Sequence, residues 1–588
     1  MFSRRYAVTL AFLLVLIPLL TACQGSDTGG GGTSGGGAQP TTAAGGTGAT
    51  NTTGEATQPP ATEAAGTGMI DHLDFGGFGG GDNPQLNYNP FLLTQRLTGE
   101  YTWEPLMIVN GYNCQNVPWL ATDFKWQDPQ TLVYTIRDGV KWNDGQPFSA
   151  DDVVYTFNLI KQQPAFDAGG VWQTLDNVSN SGNQVTFKFK EPAANMFSKV
   201  SAVFIVPKHV WEKVDDPVKY TNEGAVGTGP FKPTSFNGQQ LVLSRNDSYW
   251  QADKINVKQL VFHKNAGGNE VEQLKLSQGT YDTNAMFVPD IKSVYVNKDP
   301  AHYHYWYPPG GLISLGFNLT KAPFNDVEFR KAVAYAIDRQ AISQKAEFGY
   351  VQAASQTGLV IPGQKDLIDP SIPDQGLIPY DPKQAADILD KAGYKKDSSG
   401  KLMGKDGKQV EFTFQVQNGW TDWIQASQVI QQNLNALGMN VHVQTPSPDT
   451  IESQRALGNF DMAFAVPGGS CSMYDNYHDY YYSKASAPVG QKAQTNWIRW
   501  EDPDTDKLID QLRQSTDPEA QKQAVFGLEK ILTTKFPSVA LWYGAHWFQY
   551  STKRAVGWPN EQNPYALTTD NLLIITHLKP SADYKPGQ

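Results

Sequence analysis

The residues from 314 to 342 join a strand pattern to a helix pattern across one proline, and this order restricts the fold more than any other part of the chain. Leu315, Phe317 and Leu319 alternate with smaller or polar residues, which predicts a half-buried strand. Pro323 then ends the pattern, because proline fixes φ and has no backbone N–H to donate. A strand that turns sharply into a helix indicates a mixed α/β protein.

The helix that follows has an apolar face and a charged face. Asn325 or Asp326 can cap its first turn, since a short side-chain oxygen accepts a hydrogen bond from a free backbone N–H. The apolar positions at helical spacing are Phe329, Val333, Ala336 and Ile337. The charged positions, expected mainly on the other face, are Arg330, Lys331, Asp338 and Arg339. The pattern predicts an amphipathic helix at a junction in the fold.

The length and charge of the chain limit both its architecture and its partners. A chain of 588 residues is too long for one hydrophobic core, so we expect two or more lobes. The formal net charge is −11 and no basic stripe is visible, which argues against nucleic acid as the partner. The 15 Trp and 26 Tyr residues are enough to build a ligand-stacking surface in addition to the core.

Residues 1–23 are interpreted as a targeting segment. Arg4 and Arg5 precede an apolar run from Ala7 to Leu20 that is too short to span a bilayer as an ordinary helix. The run leads into Leu-Thr-Ala-Cys at 20–23, which resembles a bacterial lipobox and implies that Cys23 carries a diacylglycerol. A plain signal peptide with a chance cysteine is the alternative, and the two arginines leave export by the general or the twin-arginine route open.

Residues 24–68 consist almost wholly of Gly, Thr, Ala, Ser, Gln and Pro. Such a composition has little apolar surface to bury, so we expect a disordered tether. A tether behind a lipid anchor lets a folded domain reach partners at the membrane. The folded part is then expected to begin near Met69.

A second block, residues 137–153, reads as the end of a strand, a tight turn and a helix. The Asp-Gly pair at 144–145 supplies the turn, and Ser149 can cap the helix. Together with residues 314–342, this block resembles the signatures of the family 5 extracellular solute-binding proteins. These are the receptors of peptide, nickel and oligosaccharide ABC importers. The resemblance covers the chain from about residue 70 to the C-terminus.

The resemblance implies a periplasmic-binding-protein type II fold, an α/β architecture with two lobes and an extra subdomain in the first lobe. It assigns residues 69–312 to the first lobe, including a subdomain at about 100–205. Residues 313–544 would form the second lobe, and residues 545–588 would return to the first. It also implies that the lobes close over a ligand by hinge motion and that the closed form, a monomer, docks on a membrane permease.

The sequence contains little that indicates catalysis. It has no HExxH, G-x-S-x-G or Walker motif. The segment 502–506 begins like a calcium loop but has Lys507 where such a loop needs glycine and Arg513 at its last ligand position, so we interpret it as an acidic helix cap. We therefore expect no metal, no cofactor and no enzymatic activity.

The first candidate ligand-binding segment lies between a predicted strand and a predicted helix. Trp420 and Trp423 enclose Thr-Asp there, and flat rings can cover the apolar faces of sugars while Asp422 and Asn418 bond hydroxyls. Ligands of α/β proteins bind at such strand-to-helix edges. The segment resembles its equivalent in the oligosaccharide-binding branch of the family. The alternative is that one Trp belongs to the core and the other anchors a loop.

A second candidate segment, residues 468–482, reads as an adaptable polar and aromatic loop. Its candidates are Tyr474, Tyr477 and Asp475, the last of which is the nearest match to the Asp that pairs with the peptide amino group in oligopeptide receptors. Weaker candidates at loops or strand ends are Trp172, Trp306 and Trp547.

Oligosaccharide is thus the favoured ligand, with oligopeptide as the alternative and an extracellular glycoside hydrolase as the hypothesis from a different class. The expected place of action is the outer face of the cell membrane, or the periplasm where a second membrane is present. Cys114 and Cys471 are left in the mature chain, and an exported protein can keep a disulfide. Sequence alone leaves their pairing open.

Overall fold

Two β-sheets with helices packed on them form two lobes, and a smaller sheet is inserted into the first. The computed structural model describes residues 64–78, 87–92, 99–167, 169–265, 269–469 and 471–587. The predicted lipobox at Cys23 and most of the predicted tether lie outside the described residues.

The elements of the first lobe, in chain order, are β1 (Leu73–Phe78), β2 (Met107–Val109), β3 (Asn116–Pro118), β4 (Ala121–Asp128), β5 (Thr131–Ile136), α1 (Ala150–Gln162), α2 (Val171–Thr174), β6 (Leu175–Ser181), β7 (Gln184–Phe189), α3 (Met196–Ser201), α4 (Lys208–Trp211), β8 (Phe231–Phe236), β9 (Gln240–Arg245), β10 (Gln259–Lys264), α5 (Asn269–Ser277), β11 (Thr283–Asn284), α6 (Ile291–Val294) and β12 (Tyr303–Tyr305).

The elements of the second lobe are β13 (Pro309–Phe317), α7 (Val327–Ala336), α8 (Arg339–Ala346), α9 (Pro382–Lys391), β14 (Lys395–Lys396), β15 (Leu402–Met403), β16 (Glu411–Gln415), α10 (Thr421–Ala436), β17 (Asn440–Gln444), α11 (Pro448–Leu457), β18 (Met462–Ala465), α12 (Met473–Tyr481), α13 (Pro503–Gln514), α14 (Pro518–Lys535) and β19 (Ser538–Ala545). The C-terminal elements are β20 (Gln549–Ser551), β21 (Ala555–Val556), α15 (Asn571–His577) and β22 (Lys579–Pro580).

The main sheet of the first lobe has the strand order β12-β20-β11-β1-β10-β9-β8 within the described residues. Strand β1 pairs in parallel with β10 and β11, whereas β20 pairs antiparallel with both β11 and β12. The C-terminal segment therefore supplies an interior strand to the sheet that the N-terminal segment begins.

The inserted subdomain is built on the antiparallel sheet β4-β5-β7-β6. Helix α1 precedes β6 and β7 in the chain and begins at Ala150, as predicted. Ser149 accepts a hydrogen bond from a first-turn N–H while Asp152 accepts one from the Ser149 N–H, which makes a capping box. In the turn that precedes α1, Gly145 has a φ of +92°, a conformation that favours glycine.

The sheet of the second lobe has the strand order β17-β16-β18-β13-β19. Strand β13 lies between β18 and β19 and is antiparallel to both. All its residues from Leu312 to Phe317 are buried, so the prediction of a half-buried strand was wrong. The reason is that both faces of the strand are covered. Ile313, Leu315 and Phe317 belong to the core that includes α7, whereas Leu312 packs with Ala354 and Val360 of the loop after α8. Alternation in the sequence reports only side-chain size and does not reveal this second layer.

The predicted helix after Pro323 is two helices in the structure. Asp326 caps α7, as predicted, by accepting a hydrogen bond from the Glu328 N–H. Ile337 then leaves the helical conformation, and Asp338 caps α8 by accepting a hydrogen bond from the Ala341 N–H at 2.8 Å. A residue that can cap a new helix directly after Ile337 indicates a break between two helices. The spacing of the apolar residues alone does not show this break.

Arg330 and Arg339 were expected on the charged outer face, and both are buried. The guanidinium of Arg330 donates to the carbonyls of Phe324, Lys535 and Phe536, each at 2.7 Å. Arg339 donates twice to the Ala540 carbonyl, at 2.9 and 2.7 Å. The planar guanidinium of an arginine can donate to several backbone carbonyls that a helix end or a strand leaves without a partner. These hydrogen bonds stabilise both arginines inside the protein, which the spacing of charged residues along the helix did not predict.

Two predicted boundaries need correction. The lobe II strand begins at Pro309 rather than after residue 312, because the Gly310–Gly311 pair continues β13 instead of breaking it. The predicted tether, 24–68, ends too late, because Ala65 already forms a β-bridge with Ser581 of the folded part. The Ala65–Ser581 bridge is made by backbone groups, which every residue carries. The side-chain composition that suggested a tether therefore does not prevent this bridge.

The lobes are joined by two crossing segments that run side by side, residues 306–308 and 546–548. The Trp306 N–H donates to the Phe548 carbonyl, and the His546 N–H donates to the Pro308 carbonyl, both at 2.9 Å. Because each segment continues from a strand of one lobe into a strand of the other, rotation of the lobes must occur about this pair.

A disulfide between Cys114 and Cys471 joins the lobes a third time. Cys114 lies in the turn between β2 and β3 of the first lobe, and Cys471 lies between β18 and α12 of the second. The two cysteines are 357 residues apart in the sequence, which is why their pairing could not be read from it.

None of the helices within the described ranges is both long enough and apolar enough to cross a membrane.

We predict that the disulfide limits how far the lobes separate. Replacing both cysteines, as Cys114→Ser with Cys471→Ser, should increase the radius of gyration of the ligand-free protein in small-angle X-ray scattering, because only the two crossing segments then connect the lobes covalently. Reduced wild type should match the variant, and the same reductant should leave the variant unchanged. Identical scattering from the oxidised wild type and the variant would show that other contacts hold the lobes.

Candidate ligand-binding site

The predicted tryptophan segment forms a corner of the second lobe, where the loop after β16 enters α10. Trp420 is the N-cap residue of α10, and Trp423 lies in the first turn of the helix. Gly419, with a φ of +85°, turns the chain into the helix. The segment therefore lies at a strand-to-helix edge, as the sequence indicated.

The two tryptophans have different environments. Trp423 is half-buried against Phe464 and Trp542, with ring centroids 5.0 and 6.3 Å away. Trp420 stands edge-on to Trp423 at 4.5 Å and is 42% exposed, which is unusual for a tryptophan. The inner ring thus packs on the sheet and holds the outer ring at the surface, and the use of the outer ring for stacking stays a prediction.

Two carboxyl groups lie close to this corner. Asp422 is in the first turn of α10, and Glu347 follows the end of α8, which packs against α10. Glu347 is buried, and its Oε1 has no hydrogen-bond partner among the described residues. Burial raises the pKa of Glu347 to about 8, and the charge of Asp422 acts in the same direction. Glu347 is therefore mainly protonated at neutral pH.

Asn418 is exposed beside the corner, and its N–H donates to the Pro446 carbonyl at 3.0 Å. Its backbone is thus anchored to the loop after β17, while its side chain faces solvent.

Trp547 lies in a crossing segment, at the centre of an aromatic cluster that both lobes share. Its ring is 4.8 Å from Tyr307 and 5.1 Å from Phe287 of the first lobe. Phe348 of the second lobe contacts Phe287 at 5.9 Å and remains 45% exposed. The hydroxyl of Tyr350, from the same loop, accepts a hydrogen bond from the Ile291 N–H at 2.9 Å.

Glu347 and Phe348 are adjacent, so the loop after α8 connects the tryptophan corner with the cluster around Trp547. The sequence analysis missed both residues. Neither carries a motif, and their only signal was an aromatic-Gly-aromatic run, 348–350, directly after a helix.

The remaining tryptophan candidates have packing partners in the first lobe. Trp306 is 9% exposed, and its ring lies 5.9 Å from Tyr112. Trp172 is half-buried, its indole N–H donates to the Phe157 carbonyl at 2.8 Å, and the Lys161 ammonium lies 4.4 Å from its ring centre. The structure thus brings Trp547, but not these two, next to the loop that borders the tryptophan corner.

The second predicted segment is not a loop throughout, because α12 occupies most of it. Ser472 caps this helix by accepting a hydrogen bond from the Asp475 N–H at 3.2 Å. Helical spacing then turns Tyr477 into the core, where it is 1% exposed and its hydroxyl donates to the Thr357 carbonyl. In this arrangement Tyr477 is a core residue rather than a ligand contact.

The other two members of this segment face the boundary between the lobes. The carboxylate of Asp475 is 3.9 Å from the ammonium of Lys199, which belongs to the first lobe. Tyr474 is half-buried and lies against His478 at 4.8 Å between ring centres. The segment therefore contributes to an interlobe surface, and one of its charges is already paired across it.

Across the described ranges, no three His, Cys, Asp or Glu side chains are grouped so that they could hold a metal ion. Asp502 accepts a hydrogen bond from the Thr505 N–H at 2.9 Å and caps α13. This is the helix-capping role that the sequence analysis preferred to a calcium loop.

Comparisons with known proteins agree with this architecture. Residues 115–488 match the model of the bacterial extracellular solute-binding proteins, family 5. The chain is 24% identical to the oligopeptide-binding protein AppA of Bacillus subtilis over 406 residues, which cover 65% of this chain and 69% of AppA. It is 26% identical to the nickel-binding periplasmic protein of Escherichia coli, over 74% of this chain and 83% of that protein.

Solved structures show the same two-lobed fold. A periplasmic oligopeptide-binding protein of an oligopeptide ABC transporter from Thermotoga maritima superimposes with a TM-score of 0.76 at 28% identity, covering 87% of this chain and 99% of the other. The mannohexaose-bound structure of that protein superimposes with a TM-score of 0.67 at 27% identity over the same shares.

These matches confirm the predicted family and the two-lobed α/β fold. They also confirm that the chain is a binding protein rather than an enzyme, since the matched proteins bind solutes. The family model spans well over half of the chain, and the protein therefore belongs to the bacterial extracellular solute-binding proteins of family 5, the ligand receptors of ABC importers.

Proposed function

We propose that the protein captures an oligosaccharide between its two lobes and delivers it to the permease of an ABC importer. The observation that carries this proposal is the tryptophan corner. A tryptophan that is 42% exposed and braced by a second ring has the geometry of a stacking platform, and Asp422 lies within the same helical turn. Sugar rings combine an apolar face with edge hydroxyls, which match a ring and a carboxylate.

The similarity to a mannohexaose-bound protein supports the proposal. The Thermotoga maritima receptor with this ligand shares 27% of its residues with the chain over nearly its whole length.

Oligopeptide is the second candidate, because several relatives are named oligopeptide-binding proteins. In oligopeptide receptors an Asp pairs with the peptide amino group, and Asp475 is the residue that the sequence analysis matched to it. Its carboxylate faces the Lys199 ammonium at 3.9 Å, so a peptide amino group would have to compete with a cation of the protein itself. This competition is the reason for placing peptide second.

We also propose that the protein is a lipoprotein. Cys23 and residues 24–63 lie outside the described residues. The lipoprotein proposal is therefore supported by the lipobox sequence and by the composition of residues 24–63. Acylated at Cys23, the receptor would stay at the outer face of the cell membrane near its permease.

A ligand panel tests the proposed class. Calorimetric titration with cello-, xylo- and manno-oligosaccharides and with short peptides should give binding to at least one carbohydrate series. Binding of peptides alone would replace the proposal with the second candidate.

Replacing Trp420 by Ala should weaken binding of that carbohydrate about tenfold to a hundredfold, because stacking on one aromatic ring contributes roughly 1–3 kcal/mol. The temperature of unfolding should change little, since the ring is exposed. Trp542→Phe, in the buried strand below, is the control that should affect stability more than affinity. Unchanged affinity in Trp420→Ala would show that the tryptophan corner does not contact the ligand.

Replacing Cys23 by Ser should release the protein from membranes into the soluble fraction without changing its ligand affinity, because the residue precedes the folded lobes. Membrane fractionation with detection of the protein in both fractions checks this expectation. A serine variant that still partitions with the lipid would refute the anchor.

A further inference from the structure

A groove of about 350 Å³ lies between the inserted subdomain and the second lobe. The Cys114–Cys471 disulfide forms part of its wall. The tryptophan corner is a different place, because its rings pack on Phe464 and Trp542 of the second-lobe sheet.

Aromatic and apolar side chains form two opposite sides of the groove. They include Phe124, Trp126 and Phe197 from the first lobe and Met473, Tyr474 and Leu512 from the second. Phe124 and Trp126 alternate along β4 and are both half-buried, so they face the same way, while Lys125 between them is exposed on the other face.

The aromatic residues of the first lobe are held by contacts with neighbouring rings of the same lobe. Phe124 packs on Phe197 with 4.3 Å between ring centres, and Trp126 packs on Phe189 at 5.8 Å. Each ring is thus fixed on one side and accessible on the other, as in a site that is shaped before its ligand arrives.

The polar groups of the groove are neutral. None of the described residues that line it carries a charge, and amide side chains come from Asn116, Asn195 and Gln521. The charges nearby are paired across the lobes, since the Arg513 guanidinium is 2.8 Å from the Glu191 carboxylate. A ligand with charged ends would lose its hydration here, and it would gain a counter-charge only by breaking this pair or the Lys199–Asp475 pair beside the groove.

The two sides of the groove are tied together. The disulfide joins them at one place, and the Ala194 N–H donates to the Arg513 carbonyl at 2.9 Å at another. These two connections together fix the width of the groove.

We propose that this groove is a second carbohydrate subsite, which accepts an uncharged sugar segment between the rings of Trp126 and Tyr474 and excludes charged peptide ends. The proposal rests on the oligosaccharide function given above. Flat rings cover the apolar sugar faces, and the amides of Asn116, Asn195 and Gln521 supply donors and acceptors for hydroxyls.

The test uses the full folded protein labelled with 5-fluorotryptophan, whose Trp126 signal is assigned by its loss in Trp126→Phe. We expect mannohexaose or cellohexaose to shift the Trp126 fluorine resonance, and a hexapeptide with free ends to leave it in place. Trp126→Ala should weaken binding of the same hexaose about tenfold. Lys125→Gln, on the opposite face of β4 between Phe124 and Trp126, should leave the affinity unchanged, and Trp126→Phe should retain most of it.

The resonances of Trp420 and Trp423 separate failure of this subsite from failure of the proposed function. If they respond to a hexaose while Trp126 stays silent, the subsite is overturned and the function stands. If Trp126 and Trp420 respond only to the hexapeptide, both are overturned. A Trp126 resonance that no carbohydrate moves at millimolar concentration overturns the subsite even if Trp126→Ala does not fold.

Discussion

The pairing of the two crossing segments is the constraint on which the rest of the structure depends. Strands β13 and β19 pair antiparallel from the hinge into the second lobe, and the same two chain segments pair again on the other side as Trp306 with Phe548. Because the two segments stay paired through the crossing, with register shifts between Pro309 and Leu312 and between Ile313 and Ser314, the two lobes share a backbone ladder instead of two separate linkers. A ladder resists shear along the strands and permits bending across them, so it selects rotation as the motion available to the lobes.

The disulfide changes what that rotation can do. A hinge of two strands alone leaves the two lobes free to separate on the side away from the hinge, whereas the disulfide is a third covalent connection outside the ladder. The contacts between the inserted subdomain and α13, including the Arg513–Glu191 pair, lie on the same interlobe boundary. The subdomain therefore acts as part of the closing surface, and ligand recognition can draw on residues that lie far from the hinge.

Local capping and turn chemistry made much of the fold predictable. Ser149 and Asp326 cap the helices that the sequence assigned to them, since a cap depends only on neighbours in the chain. The burial of Arg330 and Arg339 was missed, because the carbonyls that they satisfy come from residues some two hundred positions away. The sequence could likewise name Trp420 and Trp423 as a pair, but it could not reveal Glu347, which only the packing of α8 on α10 brings near them.

The position of β20 has a consequence for the order in which the molecule is made. In the described sheet, β12 pairs with β20, and β20 pairs with β11, so β12 joins the first-lobe sheet only through a strand that is synthesised near the end. The second lobe, in contrast, is built from one continuous stretch between β13 and β19. A chain that emerges from its N-terminus can thus complete the second lobe first, and the half that began earliest is the last to finish.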